Sequence, residues 1–264
     1  MLTKEELFKQ AEARGLPAIR ARGIVREYVH YLILHSINTY TDKLILTGGT
    51  ALRLIHDFGR LSFDLDFDAV GLTSDEFLRI LGCVKADLTK LGFESQVGRV
   101  KMRQNMLTAE IKMFNIFELY QIGTAQEILM VKIEVLIVPK FRSKAEIKLV
   151  KNFDGQTILI NVLDIGYLAA EKVAAFFERA RERDYYDVIF LVLNKTPIDL
   201  ELLNKIVVKV KFADFTDLLM KVKSKLERAD MDKISKKLEP FLIIPGHLKV
   251  LKSGIQRLSE LIQT

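Results

Sequence analysis

Residues 44–67, LILTGGTALRLIHDFGRLSFDLDF, join an apolar run, a glycine pair and alternate aspartates in one short stretch of the chain. Leu44–Leu46 is apolar and short, which predicts a buried strand that ends at the following Gly-Gly-Thr sequence. The apolar residues of 51–58 recur at helical spacing and predict a helix. We expect residues 62–67 to form a second strand, so the stretch predicts a strand–helix–strand unit.

The second predicted strand carries its polar residues at every other position. Side chains two residues apart share one face of a strand, so these residues are expected on a single face. They are Ser62, Asp64, Asp66 and Asp68. Neighbouring carboxylates repel each other, and a divalent cation held between them relieves that repulsion. The alternative is the acidic outer face of an ordinary antiparallel sheet.

The glycines that precede the helix favour the metal interpretation. Gly48 and Gly49 let the backbone approach a phosphate closely, and the following helix N-terminus offers N–H donors and a positive dipole. A phosphate site and a metal site joined by one helix suit metal-dependent chemistry on a nucleotide. The stretch has neither the Gly-Lys-Ser/Thr of a P-loop nor the GxGxxG of dinucleotide-binding folds.

Composition limits the metal and the partners. The 264-residue chain has a single cysteine, Cys83, and four histidines without an HExxH pattern, which argues against a zinc site. Carboxylate oxygens remain as ligands, and they favour Mg²⁺ or Mn²⁺. The net charge of +6 is compatible with polyanionic partners, and equally with a lysine-rich background composition.

No apolar stretch of the sequence is long enough to cross a membrane, and the N-terminal MLTKEELFKQAEARG lacks the apolar segment of a signal peptide. We therefore expect a cytoplasmic protein without a membrane partner.

Hydrophobic periodicity predicts an α+β fold, a mixed sheet with flanking helices followed by a helical C-terminal half. Residues 4–38 predict two helices, and Thr73-Ser74-Asp75-Glu76 predicts an N-cap for a helix that runs to about residue 91. Period-two alternation between residues 93 and 160 predicts strands of one sheet. Helical spacing holds after Asp164. We expect two domains, an α/β core over 1–162 and a helical domain over 163–264.

The pattern GGTALxL…RxSxDxDF resembles the AbiEii-type nucleotidyltransferase toxins, within the nucleotidyltransferase superfamily that shares the DNA polymerase β fold. The residues that carry this resemblance are Gly48, Gly49, Thr50, Arg60, Ser62, Asp64 and Asp66. The resemblance implies that the glycine turn, Thr50 and Ser62 bind the triphosphate of an NTP and that Asp64 and Asp66 are catalytic metal ligands. It implies a third metal ligand at Glu134, where many members have Asp.

A second segment, residues 164–192, is similar to a downstream block of the same family. The matching residues are Lys172, Arg183, Asp184 and Asp187. The resemblance implies nucleotide contacts for Lys172, Arg183 and Asp184, and catalytic roles for Lys172 and Asp187. The residues themselves leave alternatives open. Asp184 and Asp187 fall near a helix start, where acids stabilise the dipole, and Arg183–Asp187 has the spacing of an i,i+4 pair. Lys172 is a lone cation on an apolar helix, which favours function.

The acceptor and the partner are the least determined features. The resemblance implies a tRNA or protein acceptor and a winged-helix antitoxin. Two basic groups are candidates for an RNA backbone, or for ordinary solvated surface. They are the segment 139–151 and Lys205, Lys209, Lys211, Lys221, Lys223 and Lys225. A nucleotidyltransferase acting on a small molecule is one alternative function, and a catalytically degenerate nucleotide- or RNA-binding module is another.

Overall fold

The computed structural model describes residues 1–139, 144–243 and 248–263. The chain divides into two compact units, Met1–Leu163 and Asp164–Thr264. The first contains a mixed sheet with flanking helices, and the second is helical in its described residues. This architecture confirms the predicted α+β fold class.

Five α-helices lie in the described residues of the α/β unit. They are α1 (Lys4–Ala13), α2 (Ala21–Tyr40), α3 (Gly48–Ile55), α4 (Ser74–Lys90) and α5 (Ile116–Leu119). The predicted N-cap of α4 is confirmed, because the Thr73 side chain accepts a hydrogen bond from the backbone N–H of Glu76 at 3.2 Å. Capping of this kind satisfies a donor that the helix itself cannot.

Eight strands form one sheet in the described residues. They are β1 (Leu44–Thr47), β2 (Leu65–Ala69), β3 (Ser95–Val97), β4 (Lys101–Arg103), β5 (Met106–Met113), β6 (Leu129–Ile137), β7 (Ala145–Lys151) and β8 (Thr157–Leu163). The strand order is β3-β5-β6-β2-β1-β8-β7, and β4 pairs with β5. The sheet is mixed, because β2 runs antiparallel to β1 and parallel to β6.

The buried face of the central strand explains why the acids lie on the other one. Leu65, Phe67 and Ala69 of β2 are almost completely buried. Strand side chains alternate between faces, so Asp66 and Asp68 project from the opposite side. Strand β6 follows the same alternation, and its buried Ile133 and Val135 align with Leu65 and Phe67, whereas β1 is buried along its whole length.

Two local predictions were wrong in detail. Helix α3 begins at Gly48 instead of at 51, because the glycines occupy its first turn, where their low helix propensity matters least. Strand β2 begins at Leu65, so residues 62–64 lie in the segment before the strand. The segment 145–151 forms β7, as the period-two alternation between residues 93 and 160 predicts.

The helical unit contains six helices in its described residues. They are α6 (Ile165–Glu178), α7 (Glu182–Leu193), α8 (Leu200–Ile206), α9 (Phe215–Glu227), α10 (Met231–Leu238) and α11 (Leu248–Gln263). Asp164 caps α6, since its carboxylate accepts hydrogen bonds from the backbone N–H groups of Gly166 and Tyr167. Across the described ranges of both units, every helix is too short or too polar to span a bilayer.

Candidate active site

Gly48 brings the start of α3 against a carboxylate of the neighbouring strand. Its φ is +69°, a conformation that favours glycine. A Cβ atom added at Gly48 would lie 2.1 Å from Oδ2 of Asp66, so only glycine leaves room for that carboxylate. Thr47 and Asp66 are also paired in the β1–β2 register. The glycine thus sets the helix N-terminus directly beside Asp66.

Gly49 makes a second close approach, to the segment before β2. A Cβ atom added there would lie 2.8 Å from the Ser62 hydroxyl oxygen and 3.1 Å from Nη2 of Arg60. Arg60 is buried and donates a hydrogen bond to the backbone carbonyl of Leu61 at 3.1 Å. The residues of the GGT…RxSxDxD pattern therefore meet in space, as that pattern predicts for a single site.

Thr50 connects the same two elements through a buried hydrogen bond. Its hydroxyl donates to the backbone carbonyl of Asp64 at 2.5 Å, and the residue has no exposed surface. In this arrangement Thr50 fixes the backbone from which the Asp64 side chain projects. Asp64 itself is partly exposed, as is Asp66. A phosphate contact for the Thr50 hydroxyl, which the resemblance implies, would require this bond to break.

Strand register places Glu134 beside the aspartates. Asp66 of β2 lies directly opposite Glu134 of β6, and the two strands are parallel. Residues opposite each other in a sheet project from the same face, so both carboxylates lie on the acidic side of the sheet. Asp68, two residues beyond Asp66, is on that side too but is 2% exposed. The predicted ligands Asp64, Asp66 and Glu134 are all accessible.

Lys132 is a cation of this site that the sequence analysis missed. Its Nζ lies 2.8 Å from Oε1 of Glu134, and both side chains are partly exposed. The pKa of Lys132 is raised, first by the hydrogen bond to Glu134 and further by the charges of Asp64 and Asp66. All three carboxylates are thus near one ammonium group. Period-two alternation in VKIEVLI contains the signal, because Lys132 and Glu134 share a face of β6.

Arg26 and His30 of α2 support the segment before β2 and were also missed. Arg26 donates hydrogen bonds to the backbone carbonyls of Phe63 at 3.2 Å and Met130 at 2.6 Å. His30 is 1% exposed, and burial together with the charge of Arg26 lowers its pKa to about 3. Nothing in the sequence around α2 indicates these contacts, because they join segments far apart along the chain.

The helical unit holds the predicted Lys172 and Asp187 as an ion pair. Nζ of Lys172 on α6 lies 3.2 Å from Oδ2 of Asp187 on α7, and the side chains are 11% and 1% exposed. The i,i+4 pair considered for Arg183 and Asp187 is replaced by this contact between helices. Lys172 therefore has an anionic partner within its own unit.

The Asp184 carboxylate is held by hydrogen bonds from neighbouring residues of the helical unit. Its carboxylate accepts hydrogen bonds from Nε and Nη2 of Arg179, each at 3.0 Å, and from the backbone N–H of Arg181 at 2.9 Å. It is 2% exposed. The neighbouring Arg183 lies 5.3 Å from the ring centroid of Phe241. The structure thus places Asp184 as the acid that stabilises the turn between α6 and α7.

The lysines considered for RNA binding in the helical unit have local partners. Lys205, Lys221 and Lys223 pair with Glu201, Asp217 and Glu227, and Lys209 pairs with Glu178. The ammonium groups of Lys211 and Lys225 donate to backbone carbonyls. In the other basic group, Lys148 pairs with Glu146, while residues 140–143 lie outside the described residues.

The ligand atoms on the acidic face determine which metal ion can bind there. Asp64, Asp66 and Glu134 offer only carboxylate oxygens, which suit a hard cation such as Mg²⁺ or Mn²⁺. Within the described ranges, no group of three or more acidic, histidine or cysteine residues is already arranged as a metal site. The Glu134 carboxylate is in contact with the Lys132 ammonium group. Asp64 and Asp66 fit as the ligand pair.

Comparison with known proteins gives a family match and a fold match. Residues 32–250 match the sequence model of the family described as "Nucleotidyl transferase AbiEii toxin, Type IV TA system". The fold is similar to that of JHP933 from Helicobacter pylori, with a TM-score of 0.56, 18% identity and coverage of 92% of this chain and 90% of that chain. It is also similar to a proposed nucleotidyltransferase from H. pylori, with a TM-score of 0.57, 20% identity and coverage of 92% and 93%. No curated protein matches the sequence.

Proposed function

Because the chain belongs to the AbiEii nucleotidyltransferase toxin family, we propose that it moves a nucleoside monophosphate from an NTP to an acceptor hydroxyl in a metal-dependent reaction. The observation that carries this proposal is the fit of Gly48 to Asp66, which sets a helix N-terminus beside a carboxylate. N–H donors for phosphate and oxygen ligands for a cation then lie together.

The reaction transfers one phosphoryl centre. The acceptor oxygen forms a bond to the α-phosphorus, the bond from that phosphorus to the bridging oxygen of pyrophosphate breaks, and the hydroxyl proton is released to water. Catalysis of this kind depends on positioning and charge more than on covalent chemistry. The N-terminus of α3 binds the triphosphate, and the Ser62 hydroxyl beside Gly49 donates to one of its oxygens.

Asp64 and Asp66 hold the divalent ion in this proposal. When bound there, Mg²⁺ or Mn²⁺ supplies neutralising charge for the triphosphate and for the leaving pyrophosphate. Thr50 keeps the Asp64 backbone in place through its buried hydrogen bond. Glu134 is held by Lys132 and completes the ligand set only if that ion pair opens. Catalytic roles for Lys172 and Asp187 and nucleotide contacts for Lys172, Arg183 and Asp184 stay predictions. A winged-helix antitoxin partner stays a prediction too.

The test is transfer of label from the four α-³²P NTPs, with Mg²⁺ or Mn²⁺, into bulk tRNA and into the protein itself. Asp64→Asn and Asp66→Asn are expected to reduce transfer by at least about 1000-fold, because each removes a charge that the cation requires. Asp75→Asn is the matched control, since Asp75 is exposed in the first turn of α4. Full transfer by either site variant would contradict the proposal.

A further inference from the structure

Strand β4 and the residue pair before it form a strongly cationic edge of the α/β unit. Lys101, Met102 and Arg103 are all exposed, and Arg99 is exposed just before the strand. A surface groove of about 360 Å³ is lined by Arg99, Val100, Lys101, Met102 and Arg103. We call the three cations Arg99, Lys101 and Arg103 the β4 cluster.

The β4 cluster differs from the other basic groups because its charges have no local partner. Among the described residues, the side chains of these three cations form no hydrogen bond or ion pair. The lysines between 205 and 225 are instead held by carboxylates or carbonyls of their own unit. Exposed cations without an anionic neighbour are available to an external polyanion.

Strand register puts Lys101 and Arg103 of the β4 cluster on the same face of the sheet as the proposed metal ligands. Lys101 lies opposite Thr108 of β5, Thr108 lies opposite Glu134 of β6, and Glu134 lies opposite Asp66 of β2. Paired residues project from one face, so a continuous row leads from Lys101 to Asp66. The row crosses three strand spacings, or about 14 Å.

The opposite face of β4 is used for a different contact. Met102 alternates with Lys101 and Arg103, and its Sδ lies 3.5 Å from the Ser74 hydroxyl at the start of α4. Lys101 and Arg103 therefore project away from α4 and towards the acidic side of the sheet. Their Cα atoms are about 6.8 Å apart along the strand, similar to the separation of successive phosphates in an extended nucleic-acid strand.

We propose that the β4 cluster binds the phosphodiester backbone of an RNA acceptor whose reactive end reaches Asp64 and Asp66. This inference rests on the proposed function and names its acceptor class. Arginine and lysine at this spacing neutralise successive phosphates, and the guanidinium groups bind them bidentately. The acids on β2 and β6 repel the backbone, so it is held at β4 and only the terminal hydroxyl enters the acidic region.

The experiment measures RNA binding without NTP, so it does not depend on transfer. The probe is a fluorescein-labelled single-stranded RNA of about 20 nucleotides, titrated at several KCl concentrations. The test variant is Arg99→Gln/Lys101→Gln/Arg103→Gln. The control is Lys9→Gln/Arg79→Gln/Lys85→Gln, which removes the same charge from exposed positions of α1 and α4.

The test variant is expected to bind RNA about 10- to 100-fold more weakly at moderate salt, and the slope of log K against log salt is expected to fall by about 2. The control triple is expected to keep the wild-type slope. Binding of NTP with Mg²⁺ is expected to be unchanged in both. An unchanged slope in the test variant, or an equal loss in the control, would overturn the assignment. Displacement of the probe by polyglutamate as effectively as by unlabelled RNA would overturn it in favour of an acidic protein.

Failure of this inference is distinguishable from failure of the proposed function. RNA binding that depends on the β4 cluster, without transfer by the wild type, would support the surface and contradict the enzyme. Transfer to protein by a wild type that does not bind RNA would support the enzyme and contradict the RNA-binding surface. Asp64→Asn serves as the internal reference, because it is expected to bind RNA normally and to transfer nothing.

Discussion

The acids of the sheet and the acids of the helical unit are held in opposite ways. On the sheet, Asp64 and Asp66 are partly exposed, and Gly48 leaves space beside the second of them. In the helical unit, Asp184 and Asp187 are buried against Arg179 and Lys172. The acids of the sheet are thus partly exposed to solvent. The acids of the helical unit are buried in ion pairs.

This comparison indicates which acids stabilise the fold and which do not. Partnered buried carboxylates lose heavily when their partner is removed, because an uncompensated charge stays in the interior. Partly exposed neighbouring carboxylates repel each other, and on the sheet the nearby charge of Lys132 and, when bound, a divalent cation oppose that repulsion. Acids that bind a ligand are therefore expected to reduce stability, and acids that form buried ion pairs are expected to stabilise the fold.

The largest expected effect is the loss of the buried ion pair. Asp187→Ala is expected to lower the free energy of unfolding by about 3–5 kcal/mol, because Lys172 is left in a nearly buried position without an anion. Urea unfolding measures the change. Glu201→Ala is the control, since its pair with Lys205 is exposed and screened by solvent and therefore contributes little. Equal effects of the two substitutions would remove the contrast between the units.

A smaller effect is expected at the glycine that opens the sheet site. Gly48→Ala is expected to cost about 2–3 kcal/mol and most of the transfer activity, because Ala is strained at this φ and its Cβ would collide with Asp66. Gly71→Ala separates the two causes. Its φ is +66° with nothing within 4 Å of an added Cβ, so it is expected to cost about 1 kcal/mol and to leave transfer intact. An active Gly48→Ala protein would show that the close approach is not required.

These cases also indicate how much the sequence could predict. Helices α2 and α4 and strands β5, β6 and β8 follow from local periodicity, and so do the positions of Asp64 and Asp66 near one strand. The pairing of β2 with β6, which sets Asp66 opposite Glu134, joins residues far apart in the chain and has no local signal. The burial of Thr50 and the contact between Lys172 and Asp187 depend on such pairings too.

The smallest of these effects is a pH dependence confined to the α/β unit. The pKa of His30 falls from 6.5 to about 3 on folding, so between these values the unfolded chain binds a proton that the folded chain does not. The contribution of His30 to stability is therefore fully present above pH 6.5. The free energy of unfolding falls by about 1.4 kcal/mol per pH unit between pH 6.5 and about 3. The described part of the helical unit has no histidine that could contribute in the same way.

Urea unfolding at pH 7.5 and at pH 5.5 checks this dependence. His30→Phe is expected to lose most of the difference between the two pH values, and the remainder comes from His56, whose pKa burial also lowers. His35→Gln is the control, because His35 is exposed on the same helix and is expected to keep the wild-type difference. A wild-type difference that survives in His30→Phe would assign the pH dependence to other groups.

The most direct test of the central claim is Mn²⁺ binding followed by electron paramagnetic resonance, with a non-hydrolysable NTP present. If the sheet acids hold the cation, wild type with nucleotide should remove free Mn²⁺ beyond what nucleotide alone removes, and Asp66→Asn should not. Asp187→Asn, where it folds, should still hold Mn²⁺. Wild-type binding by Asp66→Asn and Asp64→Asn, together with loss in Asp187→Asn, would contradict the account and move the metal site to the helical unit.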